Sequence, residues 1–215
     1  MTVHRDQRFW DKLARKYSQD PVADQEGYER SLARTRSLLK PTDHLLEVGC
    51  GTGTTALAHA DDVEQIVATD VSPAMIAIAN EKLAQTPHTN VQFKAAPAEE
   101  PAVAPGSQDV VMAHNLLHLT RDLPRVLDVL TASLKPGGLL ITKTPCVAEL
   151  NPMLKHVMIP AMRLVGKAPY VDIFNSDTLK RQIVSAGYAN EADERHGTPD
   201  RGRDVRAYLV ARKLS

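Results

Sequence analysis

Leu45-Leu46-Glu47-Val48-Gly49-Cys50-Gly51-Thr52-Gly53 is the stretch that decides the fold. A short apolar run meets three glycines at alternate positions, and Thr54 to Ala60 then reads as a helix. Glycines so placed let the backbone turn sharply and come close to a ligand where a Cβ would collide. The free N–H groups of the following helix point at whatever sits there. Three glycines in five residues are more than a strand-to-helix turn needs, so the loop is read as a ligand cradle.

Working outward, short apolar runs alternate with helical ones. Ile66 to Thr69 predicts a second strand ending at Asp70, Val91 to Phe93 a third, Asp109 to Ala113 a fourth and Leu139 to Thr142 a fifth. Ser72 and Pro73 open a helix whose Met75, Ile76, Ala79 and Leu83 recur every three to four residues. Asp122 and Pro124 open another, stopped by Pro136-Gly137-Gly138. Strict alternation of this kind predicts an α/β, Rossmann-like, doubly wound and mostly parallel sheet, with its ligand beyond the C-terminal ends of the strands. At the C-terminus a helix capped by Asn175 or Ser176 precedes two strands, Glu191 to Arg195 and Val205 to Ala211. They are too close in sequence for a parallel crossover, so the last strand of a seven-stranded sheet is expected to be antiparallel.

Asp70 adds chemistry to the cradle. A carboxylate closing the second strand can accept both hydroxyls of a ribose, and it would repel a 2′-phosphate. A nucleoside with free ribose hydroxyls is the expected ligand. The GxGxG spacing and the late Pro136-Gly137-Gly138 turn count against the remaining dinucleotide reading, an NAD-dependent oxidoreductase.

These residues resemble the class I S-adenosylmethionine-dependent methyltransferases, and within them the small-molecule, quinone-methyltransferase-like type. Glu47, Gly49, Gly51 and Gly53 look like the first motif of that family, Asp70 its ribose acid, and Lys135-Pro136-Gly137-Gly138 its late glycine turn. The resemblance implies S-adenosyl-L-methionine as cofactor. It also implies contacts from Cys50, Val71, Met75, Ala98, Glu99, Asn115 and, from the N-terminal side, Tyr17. Pro97 stands where an acidic residue often holds the adenine amino group, which leaves the Ala98 backbone N–H and Glu99 to take that part.

The sulfonium is already a good methyl donor, so alignment of the acceptor and exclusion of water are the main demands on the protein. A base is needed only where the acceptor must lose a proton. His118 and His114 flank the expected transfer point, and a histidine titrating near pH 7 suits a phenol, a hydroxyl or an activated carbon acid. His118 takes precedence, because its position resembles a histidine common in small-molecule members of the family.

Composition bounds what surrounds this core. The chain has 215 residues, roughly 1.4 domains' worth, which predicts one domain with appendages. They are an N-terminal helical cap over 1–40, carrying Phe9, Trp10 and Tyr17 on one face, and a helical lid insertion over 145–174. In the lid, a helix starting at Asn151-Pro152 would carry Met153, Leu154, Val157 and Met158 on an apolar face, up to Pro160. The 26 basic and 26 acidic residues balance, and neither a basic stripe with interleaved aromatics nor a base-flipping tetrapeptide is present. No nucleic-acid partner is therefore expected. Two distant cysteines, Cys50 and Cys146, form neither a disulfide framework nor a metal spacing, so no metal is expected and a cytoplasmic setting is. The acceptor is expected to be a small apolar or aromatic metabolite, methylated on oxygen, carbon or nitrogen. A phospholipid amine at a membrane surface, met by Lys155, Arg163 and Lys167, is the alternative, which balanced charge and the lack of an apolar anchor disfavour.

Overall fold

A computed structural model of the chain describes residues 3–149, 153, 158, 161–162, 168–196 and 206–214. The predicted lid residues Asn151, Pro152, Leu154, Lys155, Val157, Pro160, Arg163 and Lys167 lie outside the described residues, as does the turn expected over 197–204.

Seven strands form one sheet in the order β3-β2-β1-β4-β5-β7-β6. They are β1 (His44–Val48), β2 (Gln65–Asp70), β3 (Val91–Ala95), β4 (Gln108–His114), β5 (Leu134–Pro145), β6 (Tyr188–Arg195) and β7 (Arg206–Lys213). The first five are mutually parallel, and β7 runs antiparallel to both β5 and β6. The predicted doubly wound sheet with an antiparallel last strand is thus the one observed.

The inner strands β1, β2, β4, β5 and β7 are buried on both faces, which is why they read as mainly apolar runs instead of alternating ones. On one face Leu46, Val111 and Leu140 pack against Val126, Leu127 and Leu130 of helix α5 (Leu123–Ser133) and Leu179 and Ile183 of α6 (Ser176–Ser185). On the other, Leu45, Ile66 and Met112 pack against Ala56 of α3 (Thr54–Ala58) and Ile76 and Ala79 of α4 (Pro73–Leu83). The helices start where capping chemistry dictates. Ser72, Asp122 and Asn175 each accept a backbone N–H three residues on, from Met75, Arg125 and Thr178.

Several boundaries differ from expectation or are set by tertiary contacts. Helix α2 runs Gln25–Arg36, with Asp24 as its cap and Gly27 inside its first turn. A Cβ on Gly27 would sit 2.2 Å from the His196 carbonyl oxygen, and the Gly27 carbonyl accepts a hydrogen bond from the buried Lys143 Nζ at 2.8 Å. The glycine is there for close docking of the helix onto the sheet. Strand β5 begins at Leu134 and runs through Lys135-Pro136-Gly137-Gly138, since Leu134 pairs with Gln108 before a register shift. Helix α3 stops at Ala58 and gives way to a 3₁₀ turn, Ala60–Asp62.

The N-terminal segment folds as two helices. Trp10 and Ala14 of α1 (Val3–Gln19) pack on Met75 and Ile78 of α4. Helix α2 is fastened to the far end of the sheet by polar contacts: Thr35 Oγ1 to Tyr208 Oη at 2.9 Å, and Arg34 to Glu194 at 2.8 Å.

Gly53, the last glycine of the loop, has φ +76°, and a Cβ there would lie 2.6 Å from Phe93 and 2.8 Å from Ala79. Left-handed backbone strain alone costs a substituted residue about 1–3 kcal/mol, and the collision adds to it. Gly53→Ala is expected to lower the urea-unfolding free energy by at least about 2 kcal/mol; an unchanged midpoint would mean that the loop relaxes freely.

Candidate active site

One cleft lies over the C-terminal ends of β1, β2 and β4. Its floor is the glycine loop, Val48 to Gly51, with Gly49 at φ +73° and Gly51 at φ +55°. Both conformations belong to glycine. The Gly49 and Cys50 N–H groups donate to the Thr69 carbonyl at 2.7 and 2.9 Å, which ties the loop to β2. At Gly51 the space a Cβ would take is bounded by the Tyr17 ring, 3.8 Å away, so α1 lies across the loop.

Two carboxyl groups, one buried and one half-buried, stand in the walls. Asp70 ends β2, and its oxygens accept the Gly51 N–H at 3.0 Å and the Ser72 N–H at 2.9 Å. Burial raises its pKa, and the two backbone donors oppose that rise. Glu47 is 2% exposed on β1. Its Oε2 has no hydrogen-bond partner, and burial, with the Asp70 charge adding, pushes its pKa up to about 8. The buried oxygen is thus short of a hydrogen-bond partner.

The remaining walls come from three further places. Val71 and Met75 enter from the start of α4, and Ala96, Pro97, Ala98 and Glu99 from the loop after β3. His114, Asn115 and Leu116 follow from the end of β4. Asn115 has φ +54°, the one positive φ among described non-glycine residues, and its N–H donates to the Lys143 carbonyl at 2.7 Å. That bend swings the chain into a 3₁₀ turn, Leu117–Leu119.

Of the residues singled out in the sequence, Glu47, Gly49, Cys50, Gly51, Asp70, Val71, Met75, Ala98, Glu99, Asn115, Tyr17 and His114 line the cleft. Gly53 and His118 do not. Gly53 turns inward against Phe93, and the His118 backbone carbonyl is taken by the Asp172 N–H at 2.7 Å. The expectation of a histidine titrating near pH 7 is corrected. Burial pushes His114 down to about 3, with Lys143 adding, and His118 to about 4, with Arg206 adding, so both imidazoles are neutral at pH 7.

Asp6 and Arg121 also line the cleft, a contribution the sequence did not reveal. They form a two-pronged ion pair, both N–O distances 3.0 Å, between α1 and the loop after the 3₁₀ turn. The Arg121 guanidinium also lies 4.5 Å from the centre of the Tyr170 ring. A charge pattern separated by 115 positions carries no local signal. Among the described residues no group of three or more His, Cys, Asp or Glu side chains is placed to hold a metal ion. No described helix is long and apolar enough to cross a membrane.

With this geometry in hand, known proteins place the chain. The methyltransferase domain family matches residues 46–140, from β1 into β5. A hybrid PKS-NRPS synthetase, opdA of Penicillium oxalicum, is 35% identical over 186 residues, 81% of this chain and 5% of that protein. The arsenite methyltransferase of Halobacterium salinarum is 26% identical over 183 residues, 80% of this chain and 46% of that one. Among solved structures, phosphoethanolamine N-methyltransferase 2 of Haemonchus contortus, in complex with phosphomonomethylethanolamine and S-adenosylhomocysteine, aligns over 98% of this chain and 58% of its own. Its TM-score is 0.75 at 17% identity. The segment from β1 into β5 is thus similar to a methyltransferase domain, and the chain shares the fold of the solved structures. It spans 3% to 6% of the length of the polyketide-type synthases it matches.

The raised Glu47 carboxyl has a consequence for stability. Between about 4.5, its ordinary value, and about 8 the folded chain binds more protons than the unfolded one, so stability falls as pH rises through that window. Glu47→Gln is expected to flatten the decline and to raise the thermal midpoint above pH 8, as measured by calorimetry without ligand. A variant less stable than the parent at that pH would show that the carboxylate has a partner.

Proposed function

We propose that the chain transfers a methyl group from S-adenosylmethionine to an oxygen, carbon or nitrogen of a small apolar or aromatic metabolite. The observation that carries this is a cleft with the glycine loop as its floor and two carboxyl groups, the buried Glu47 and the half-buried Asp70, in its walls.

The group fits what the residues lack. Glu47 Oε2 is buried without a partner, and the amino-acid end of the cofactor carries an ammonium. Asp70 would accept the ribose hydroxyls on lone pairs that the Gly51 and Ser72 donors leave open. Met75 and Val71 would cover one side of the base, with the Ala98 N–H and Glu99 at its edge. Tyr17 and Trp10 would close the cleft from α1 and exclude water. When bound, the cofactor supplies an electrophilic methyl at a sulfonium, and the protein aligns the acceptor in line with it. His114 is placed to contact the acceptor from the end of β4, whereas His118 would reach it only through a shift of the 3₁₀ turn.

A neutral imidazole with a depressed pKa is a weak base, which favours acceptors that need little help to lose a proton. The apolar residues Leu116 and Leu119 in the wall support an acceptor of low polarity.

Titration calorimetry with S-adenosylhomocysteine tests the cofactor assignment. Asp70→Asn is expected to weaken binding by about tenfold or more, worth about 1.4 kcal/mol. Affinity of the parent should rise between about pH 6 and about pH 8, because an ammonium ligand requires the Glu47 carboxyl to ionise. In Glu47→Gln that rise should vanish. Binding of NAD with no binding of either adenosyl compound would overturn the proposal.

A further inference from the structure

Among the described side chains of helix α1, every exposed charge is positive. Arg5, Arg8, Lys12, Arg15 and Lys16 are all exposed, and at about 100° per residue they fall within an arc of about 100°. The two acids of the helix are turned elsewhere. Asp6 pairs with Arg121, and Asp11 accepts the Ser72 hydroxyl at 2.5 Å and the Ala74 N–H at 3.2 Å. Asp6, Trp10 and Tyr17 line the cleft from the opposite side of the helix, and Ala14 packs on α4. The basic face therefore points away from the cleft.

The balance of 26 basic and 26 acidic residues over the whole chain hides this local asymmetry. The acids at the margin of the face are Asp20, at its C-terminal end, and Glu81 of α4, whose exposed pair with Arg15 at 3.3 Å is of a weak kind. A helix of 17 residues is about 25 Å long, so the cations form an extended, flat strip of positive potential. Two observations select its partner. No aromatic ring in the strip offers a base a stacking platform, since Phe9 beside it meets Trp10 edge-on at 5.2 Å. Large apolar side chains are also exposed at both ends. Val22, just past the end of α1, is 46% exposed; at the other end Arg121 joins Asp6 to the Tyr170 ring, and Ile173 beyond that ring is 43% exposed. A nucleic acid or an acidic peptide would leave these groups in water, whereas the headgroup region of a bilayer takes cations and shallow apolar side chains together.

We propose that the outer face of α1, with Val22 and Ile173 at its ends, is a docking surface for a bilayer that bears anionic headgroups. Each lysine or arginine held near such a surface strengthens attachment by about fivefold. The attachment is peripheral. The apolar side of α1 is already packed on α4 and over the cleft, so the helix lies on the headgroups through its cations and does not insert. This surface is independent of what the cleft binds, although the two share α1 as a wall.

Co-sedimentation of the full chain with lipid vesicles tests this. Binding to phosphatidylcholine vesicles that contain about 30% phosphatidylserine is expected to exceed binding to pure phosphatidylcholine at least tenfold, and to fall at least tenfold between about 50 mM and about 500 mM sodium chloride. Lys12→Gln combined with Lys16→Gln should weaken it about twentyfold, and Lys12→Arg combined with Lys16→Arg should leave it unchanged. Lys40→Gln combined with Arg181→Gln removes the same charge from exposed positions outside α1 and should also leave it unchanged. Far-ultraviolet circular dichroism establishes that each variant folds. Equal binding to the two kinds of vesicle, or an equal loss from the Lys40 and Arg181 substitutions, overturns the docking surface. Tighter binding to duplex DNA or to polyglutamate than to the anionic vesicles, at equal concentration of charge, assigns the face to another class of partner and overturns it as well.

Discussion

Asp70 holds the site together. Its carboxylate accepts one N–H from the glycine loop and one from the start of α4, so a single side chain couples the turn after β1 to the crossover after β2. The Thr69 carbonyl beside it accepts two further loop N–H groups, and Gly53 wedges the loop against Phe93 and Ala79. The loop is thus fixed from three sides before any ligand arrives. Pre-organisation of this kind spares a ligand the entropic cost of ordering the loop.

The same arrangement leaves charge unbalanced. Two carboxyl groups, the buried Glu47 and the half-buried Asp70, share one cleft with a histidine, His114. Burial raises the pKa of Glu47 and Asp70 and lowers that of His114, so the protein carries polar groups whose charged forms it disfavours. Such groups concentrate where a ligand restores the balance.

Much of this was legible in the chain because the signals are local. The glycines, the acid that closes β2, and the caps at Ser72, Asp122 and Asn175 each act within a few residues of their own position. The mostly parallel sheet and its antiparallel last strand followed from alternation and from the short connection between the last two strands. What escaped was long-range. The Asp6–Arg121 pair joins α1 to a loop on the far side of the cleft. The precedence given to His118 over His114 failed to anticipate that the left-handed bend at Asn115 and the following 3₁₀ turn leave His114 in the cleft wall and take His118 out of it. Lys143 gave no signal at all, because its role depends on a helix that arrives from more than a hundred residues away.

A crystal structure with S-adenosylhomocysteine bound tests the central claim most directly. The account predicts the ribose hydroxyls on Asp70 while its Gly51 and Ser72 bonds persist, and the ammonium within hydrogen-bond distance of Glu47 Oε2. A ligand seated elsewhere, or one that leaves Glu47 Oε2 without a partner, would contradict it.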